Sequence, residues 1–161
     1  MAKRAKLRGL SLFANVGIAE AYLKEIGVDI LVANELLAER AKFYQDVYPE
    51  THMVTGDITD DKLRSEIVKE AKQKKVNFIM ATPPCQGMSR VGKMETFDVR
   101  NQLIYYAVDV IQRVKPEYVL IENVTTILKT KIVIDGKEML IPEYLNEVLG
   151  NEYTFNKETK V

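Results

Sequence analysis

Residues 78–89 read F-I-M-A-T-P-P-C-Q-G-M-S, and the interpretation of the whole chain starts from this stretch. Its apolar beginning, residues 78–81, is long enough for a buried β-strand, and the two prolines that follow cannot extend a strand ladder. Cys85, the single cysteine of the chain, therefore comes directly after the carboxyl end of a predicted strand. In open α/β sheets, ligands bind at this end of the strands. The stretch thus predicts a binding or reactive loop at a sheet edge.

Short apolar runs alternate with helical patterns on both sides of this stretch, which predicts an α/β fold with a mostly parallel sheet and helices on both faces. The predicted strands cover residues 10–13, 29–33, 52–55, 78–81 and 118–121. The predicted helices cover residues 19–26, 36–48, 100–114 and 142–149, and another runs from a cap at Asp60 or Asp61 to Lys75. Asp135-Gly136 predicts a hairpin turn between 132–134 and 139–141, and 153–161 is predicted to begin a further strand.

Length and composition set the class of protein. A chain of 161 residues fits a single domain, 1–161, that buries ~70% of its unfolded surface. Lys and Arg number 23, as do Asp and Glu, so any nucleic-acid contact must come from a local patch and not from net charge. The single cysteine excludes an internal disulfide, and no apolar run approaches the ~20 residues of a membrane span. With no apolar signal region after its basic start, the sequence predicts a cytoplasmic protein without a membrane partner.

The carboxyl ends of other predicted strands carry candidate ligand-binding residues. Glu35 follows the second strand, where a carboxylate can accept two hydrogen bonds from ribose hydroxyls. Asp57 follows the third strand and could accept a hydrogen bond from an adenine amino group, with Ile58 packed on the ring. The alternative for Glu35 is a solvated helix start, since acids favour the first turn of a helix.

The loop after the first strand, residues 13–18, reads F-A-N-V-G-I. It holds one glycine where a dinucleotide-binding fingerprint has three, which weakens a generic dinucleotide interpretation. Asn tolerates a left-handed backbone, so Asn15 can replace a glycine there. Phe13, Asn15 and Gly17 are the candidate binding residues of this loop.

Cys85 has two interpretations. A lone cysteine is more often an inert buried residue than a nucleophile. However, a thiolate adds well to an electron-poor ring carbon, and a nearby cation or helix amino end lowers the pKa of a thiol. Such an addition needs a second group that stabilises the charge building on the ring. Glu122, at the tip of the fifth predicted strand, could hydrogen-bond a base edge for this purpose.

Several segments resemble motifs of the cytosine carbon-5 methyltransferase family, in the family's order and spacing. These segments are Pro83-Pro84-Cys85-Gln86-Gly87 with Ser89, Glu122-Asn123-Val124, Asn34-Glu35, Asp57-Ile58 and Arg100-Asn101-Gln102-Leu103. The resemblance spans residues 10–124 and implies a Rossmann-like class I methyltransferase fold that is incomplete at its C-terminus.

The same resemblance implies S-adenosylmethionine as cofactor and double-stranded DNA as substrate, in a DNA (cytosine-5-)-methyltransferase of the restriction-modification type. Cys85 would be the nucleophile at carbon 6 of a cytosine flipped out of the duplex, and Glu122 would anchor the base edge. The implied cofactor-binding residues are Phe13, Asn15, Gly17, Glu35, Asp57, Ile58, Pro83 and Leu103. The implied substrate-binding residues are Gln86, Ser89, Arg90 and Asn123.

The sequence also departs from the family pattern. Ser11 stands where the family usually has Asp, and Asn15 and Ile18 stand where glycines are common. The family continues past the last motif found here with a Gln-x-Arg-x-Arg motif, a target-recognition region and a returning C-terminal segment. We therefore expect the chain to need such a C-terminal remainder, or a second subunit that carries it, and to be inactive or nearly so alone.

Three alternatives are weighed against this interpretation. Methylation of an exocyclic amine in DNA is disfavoured, because Thr82 and Cys85 occupy the places of that class's amine acceptor and aromatic residue. A transfer-RNA substrate stays open, because a branch of the family with a Pro-Pro-Cys motif methylates tRNA. The third alternative is a non-catalytic fragment that binds a cofactor or a partner protein.

Overall fold

The computed structural model describes residues 6–84, 102–134 and 136–156. The strands within these ranges are β1 (Leu7–Leu12), β2 (Val28–Glu35), β3 (His52–Thr55), β4 (Phe78–Ala81), β5 (Tyr118–Ile121), β6 (Lys131–Ile134) and β7 (Lys137–Leu140). The α-helices are α1 (Ala38–Val47), α2 (Asp61–Gln73), α3 (Leu103–Val114) and α4 (Ile141–Leu149), and short 3-10 helices cover Lys24–Ile26 and Thr125–Lys129. In the part of the chain that is described, no helix has the length and apolar character needed to cross a membrane.

Strands β1 to β5 form one parallel sheet in the order β3-β2-β1-β4-β5. The chain adds β2 and β3 on one side of β1 and then places β4 and β5 on the other side. This reversal between β1 and β4 is the switch point at which open α/β sheets bind ligands, beyond the carboxyl ends of the strands. The prediction of a parallel α/β sheet is confirmed, and the loops that follow β1 and β4 begin at the switch point.

The described residues fall into two compact units. The first unit consists of residues 6–83 and 109–122 and contains the parallel sheet, α1, α2 and the last part of α3. The second unit contains the β6–β7 hairpin and α4. The single domain over residues 1–161 stays a prediction.

The central strands of the first unit are buried on both faces. All residues of β4 are buried, and Leu10 and Leu12 of β1 have no exposed surface. Helices α1 and α2 both pack along β2 and β3. In one apolar cluster, Tyr44 of α1 lies with Ala33 and Met53 of the sheet. A parallel sheet covered in this way presents its polar groups at the strand ends, which is where a ligand site is expected.

Most predicted elements are confirmed, with changes at their ends. The strands at 52–55, 78–81 and 118–121 have the predicted bounds, and β6 and β7 pair as an antiparallel hairpin. Strand β2 continues to Glu35, so Asn34 and Glu35 belong to the strand and do not follow it. Asp60, and not Asp61, caps α2, since its side chain accepts hydrogen bonds from two backbone amides of the first turn.

One predicted element is wrong, and a second is wrong over the residues that are described. Residues 19–26 contain only the 3-10 helix Lys24–Ile26, which Gly27 ends in a left-handed conformation. Ile18, Tyr22 and Ile26 are 80%, 73% and 57% exposed, so these apolar side chains gain little from packing. A short helix without a packed face is marginal in water, which explains why the spacing alone gives no helix. Residues 153–156 form no strand, and the rest of that predicted element lies outside the described residues.

Candidate functional site

Hydrogen bonds tie the ends of the central strands to each other in the first unit. The backbone amide of Ala14, in the loop after β1, donates to the Asn34 carbonyl at the end of β2, at 2.9 Å. The Thr82 hydroxyl, directly after β4, donates to the Phe13 carbonyl at 3.1 Å. The loops that follow β1 and β4 are therefore joined directly at the switch point.

The outer strands are tied to the same edge. The Gly56 amide, after β3, donates to the Glu35 carbonyl at 2.9 Å, and the Asn34 side-chain amide donates to the Gly56 carbonyl at 3.2 Å. On the other side, the Glu122 amide donates to the Ala81 carbonyl at 3.0 Å. The structure thus brings residues from all five strand tips to one edge of the sheet.

Glu35 is the central acid of this edge. Its residue is 6% exposed, so the alternative of a solvated helix start is wrong. Oε2 accepts a hydrogen bond from the Asn15 amide at 2.9 Å, and Oε1 accepts one from the Leu37 amide at 3.0 Å. A carboxylate has about four acceptor positions, so each oxygen keeps the capacity for one further hydrogen bond. The carboxylate is held rigidly in an orientation in which it can still accept from hydroxyl groups.

The loop after β1 has an unusual backbone. Phe13, Asn15 and Gly17 have φ angles of 60°, 51° and 82°, which confirms the left-handed conformation predicted for Asn15. At Gly17 an added Cβ would lie 2.3 Å from Cε2 of Tyr48, whose hydroxyl donates to the Gly17 carbonyl at 2.7 Å. Left-handed residues other than glycine are costly and persist where surrounding bonds hold them, as is common at ligand-binding loops.

A buried polar pair supports this loop. The Ser11 hydroxyl of β1 donates to Oε1 of Glu20 at 2.5 Å, and both residues are buried. Burial raises the pKa of Glu20, and the hydrogen bond from Ser11 opposes that effect. Burial first, and the charge of Glu20 second, also raise the pKa values of Tyr44 and Tyr48. Ser11 was the available signal in the sequence, because a hydroxyl within an apolar strand needs a buried partner.

Asp57 begins a tight turn after β3. Its Oδ1 accepts a hydrogen bond from the Thr59 amide at 2.9 Å, and its carbonyl accepts one from the Asp60 amide at 3.0 Å. Asp57 is exposed, whereas Ile58 beside it is buried. The carboxylate is therefore accessible to a ligand, while little of the Ile58 side chain is.

The remaining described candidates belong to different parts of the molecule. Pro83 is buried just beyond β4, and Glu122 is exposed just beyond β5, both in the first unit. Leu103 is the first residue of α3 and is partly buried. Asn123 is also partly buried, and its Oδ1 accepts a hydrogen bond from the Val124 amide at 2.8 Å.

Four candidates of the sequence analysis lie outside the described residues. They are Cys85, Gln86, Ser89 and Arg90. The position of the predicted nucleophile relative to Glu122 therefore stays a prediction. The described strand β4 and residues 82–84 lead into Cys85 from the switch point.

Comparison with known proteins gives an independent result. A family profile described as C-5 cytosine-specific DNA methylase matches residues 7–143. The type II methyltransferase M1.HgaI of Avibacterium volantium is 43% identical over 155 residues, which cover 93% of this chain and 43% of that protein. The tRNA (cytosine(38)-C(5))-methyltransferase of Rattus norvegicus is 28% identical over 123 residues, covering 73% of this chain and 30% of that protein.

A solved structure has the same fold. It is a prophage-encoded protein of E. coli described as a DNA modification methyltransferase, with a TM-score of 0.71 and 25% identity. The match covers 92% of this chain and 39% of that one. The chain thus spans less than half the length of each of these three relatives.

Proposed function

This chain belongs to the family of C-5 cytosine-specific DNA methylases, and we propose that it supplies the cofactor-binding and nucleophile-bearing part of a type II DNA (cytosine-5-)-methyltransferase. The observation that carries the proposal is the meeting of candidate residues from five parallel strand tips at one edge of the sheet. Phe13, Glu35 and Glu122 take part directly in the hydrogen bonds that form this edge. The 43% identity to a type II methyltransferase favours this class over other members of the family.

The residues at the edge fit S-adenosylmethionine. Glu35 can accept from the ribose hydroxyls, because its carboxylate is fixed by two amides and has acceptor capacity left. The exposed Asp57 carboxylate can accept from the adenine amino group, with Ile58 beside it. Phe13, Asn15 and Gly17 would form the loop around the cofactor, with Pro83 and Leu103 as further contacts. When bound, this cofactor supplies an electrophilic methyl group.

Other residues of the chain would act on the cytosine. The Cys85 thiolate forms a bond to carbon 6 of the cytosine, and the electron pair of the 5,6 double bond shifts through carbon 4 towards the ring nitrogen N3. Glu122 hydrogen-bonds the base edge and stabilises the charge that develops there. After carbon 5 is substituted, its proton passes to water, the 5,6 double bond forms again, and the Cys85 thiolate leaves carbon 6. Gln86, Ser89, Arg90 and Asn123 would contact the flipped nucleotide and its flanks.

The proposed substrate is double-stranded DNA. The DNA-site specificity and full activity are proposed to need a C-terminal remainder or a second subunit, because the chain spans 43% of M1.HgaI. A tRNA substrate is the second candidate, since a tRNA methyltransferase is also similar, though at 28% identity. The cytoplasmic location stays a prediction, and activity measurements test the non-catalytic alternative.

The test is methyl transfer to duplex DNA by the chain completed with the proposed C-terminal remainder or second subunit. We expect Cys85→Ser to abolish both 5-methylcytosine formation and covalent trapping on 5-fluorocytosine DNA, because the adduct at carbon 6 cannot form. Glu122→Gln should lower the rate by about 10²–10³-fold, the range for loss of a group that stabilises charge in the transition state. Bisulfite sequencing and a denaturing gel would measure the two outcomes.

Glu117→Gln is the matched control for Glu122→Gln, because Glu117 is an exposed acid at the opposite end of β5. Its rate should equal that of the parent. An unchanged rate in Cys85→Ser would rule out the thiol mechanism. Methylation of tRNA but not of DNA in the same assay would select the second candidate, and DNA methylation by the purified chain alone would contradict the need for a partner.

A further inference from the structure

Arg64 is a buried cation close to the turn that carries Asp57. It lies on the first turn of α2 and is 9% exposed. Its Nη1 donates to the carbonyl oxygens of Ile58 at 2.9 Å and Thr59 at 2.7 Å. A buried arginine is costly unless its donors are satisfied, so these two carbonyls are strong partners for it.

The turn itself leaves Asp57 with a defined orientation. The Thr59 amide donates to Oδ1 of Asp57, while no hydrogen bond within the described residues reaches Oδ2. Because Arg64 fixes the carbonyls of Ile58 and Thr59, it fixes the peptide planes on which the Thr59 amide depends. The Asp57 carboxylate is thereby oriented by a side chain that does not touch it.

Arg64 is itself held from two directions. Its Nε donates to Oδ2 of Asp109 on α3 at 3.0 Å, and its Nη2 donates to Oδ1 of Asp61 at 3.0 Å. Arg113 donates to the same Asp109 oxygen at 3.3 Å and to the Ser65 hydroxyl at 2.8 Å. Only a guanidinium can make these bonds together, because lysine has a single nitrogen and no planar fork.

From these contacts we propose that Arg64 is a positioning residue that sets the selectivity of the site for adenine. The inference rests on the proposed function, in which Asp57 accepts a hydrogen bond from the 6-amino group. A correctly placed carboxylate favours an amino group and rejects a ring with an oxo group at the same position, because two acceptors then face each other. Without Arg64 the carbonyls of Ile58 and Thr59 lose their donor, the turn keeps only its internal hydrogen bonds, and this discrimination is weakened.

The experiment compares two ligands, S-adenosylhomocysteine and its inosine analogue, by calorimetry on the parent chain and on Arg64→Lys. The parent should bind the adenine ligand about tenfold or more tightly than the hypoxanthine ligand. In Arg64→Lys the ratio should fall several-fold, because one ammonium with three donors cannot serve both carbonyls and both carboxylates together. Asp109→Ala should give a ratio closer to the parent value, since it removes one anchor of Arg64 and keeps both carbonyl bonds.

Arg113→Lys is the matched control. It changes the same ion cluster, which consists of Asp61, Arg64, Asp109 and Arg113. The hydrogen bonds of Arg113 go to Asp109 and Ser65 and not to the turn. Its ligand ratio should equal that of the parent. A parent ratio retained in Arg64→Lys would overturn the proposal, as would an equal loss in Arg113→Lys, which would indicate a general effect on stability.

A second measurement needs no ligand and separates this inference from the proposed function. Amide hydrogen exchange at Thr59 and Asp60 should be about tenfold faster in Arg64→Lys than in the parent or in Arg113→Lys, since these amides close the turn. Unchanged exchange would overturn the positioning role. A parent that binds both ligands equally, or neither, would overturn the adenine selectivity and the proposed cofactor site, while faster exchange would still support Arg64 as the group that holds the turn.

Discussion

Glu20 combines burial with an incomplete set of hydrogen bonds. Oε1 accepts from the Ser11 hydroxyl, while Oε2 is buried and has no partner among the described residues. Burial raises the pKa of this carboxyl above its ordinary value of 4.5, because the charged form loses solvation. The folded protein therefore holds the Glu20 proton more tightly than the unfolded chain does. The stability gained in this way is present below the unfolded pKa and is lost as the pH rises through the folded pKa.

Replacing Glu20 with Gln should remove this pH dependence, since the amide stays neutral. The free energy of unfolding of Glu20→Gln, minus that of the parent, should rise as the pH increases above the unfolded pKa of the carboxyl and level off above the raised folded pKa. Each pKa unit between the folded and unfolded states contributes about 1.4 kcal/mol to this rise. Urea unfolding at a series of pH values measures it, and Glu25→Gln controls for the loss of an exposed acid in the same segment. A constant difference across the series would refute the raised pKa.

Single residues differ in how well the sequence predicted them. The left-handed backbone of Asn15 followed from its side chain and its place in a glycine-poor loop. The burial of Glu35 did not follow, because it depends on the Asn15 amide, which lies 20 residues away along the chain. Local chemistry is encoded locally, whereas the partners of a buried acid are set by strand pairing.

The ends of helices and strands were predicted best where the sequence contains residues that sterically end an element. Strands β3, β4 and β5 have the predicted bounds, and β4 ends at Ala81 just before Thr82-Pro83-Pro84. The helix expected at 19–26 is absent. Tyr22 and Ile26 are exposed, and Leu23 alone of its larger apolar residues packs on the core, so a helix there would gain little packing energy. Periodicity states which face a helix would bury, but the packing partner decides whether the helix forms.

Helix α2 offers a test at this scale, because one side chain satisfies its first amides. Oδ1 of Asp60 accepts from the Lys62 amide at 2.7 Å and from the Leu63 amide at 3.3 Å. Asp60→Ala should lower the free energy of unfolding by about 1 kcal/mol, while Asp60→Asn should keep most of it, since Asn caps helices equally well. Chemical denaturation of the three proteins measures both values. An equal decrease in the free energy of unfolding in the two variants would show that Asp60 stabilises the helix by its charge and not by capping.

At the scale of the molecule, the meeting of strand tips was predictable and the ion cluster was not. Parallel strands bring their carboxyl ends to one edge, so motifs after successive strands must approach each other. Arg64 and Asp109 are 45 residues apart, and nothing local to either indicates the other. The sequence did offer one hint. Arg64 lies at helical spacing from the buried Ile67 and Val68, so it is a charge on an apolar face.

The sheet of the first unit ends at β5, which pairs with β4 and with no other strand in the described ranges. Leu120 on this strand is 45% exposed, and an exposed apolar edge strand is a template for pairing with another chain. We expect concentration-dependent self-association, and Leu120→Lys should weaken it several-fold without changing the unfolding midpoint. Analytical ultracentrifugation measures this effect. Leu36→Lys is the control, because Leu36 is 57% exposed but lies outside the edge strand, and an equal effect in both variants would contradict a role for the edge.

The bond from the Thr82 hydroxyl to the Phe13 carbonyl has a consequence for protein engineering. This hydrogen bond joins the segment after β1 to the segment after β4. A chimaera that exchanges only one of the two segments therefore keeps only the donor or only the acceptor of the bond. Grafts from relatives should therefore move the two segments as a pair, or keep a hydroxyl residue at position 82. A graft without a hydroxyl residue at position 82 would leave the Phe13 carbonyl without this donor. The backbone around Phe13 and around Thr82 would then be less firmly held.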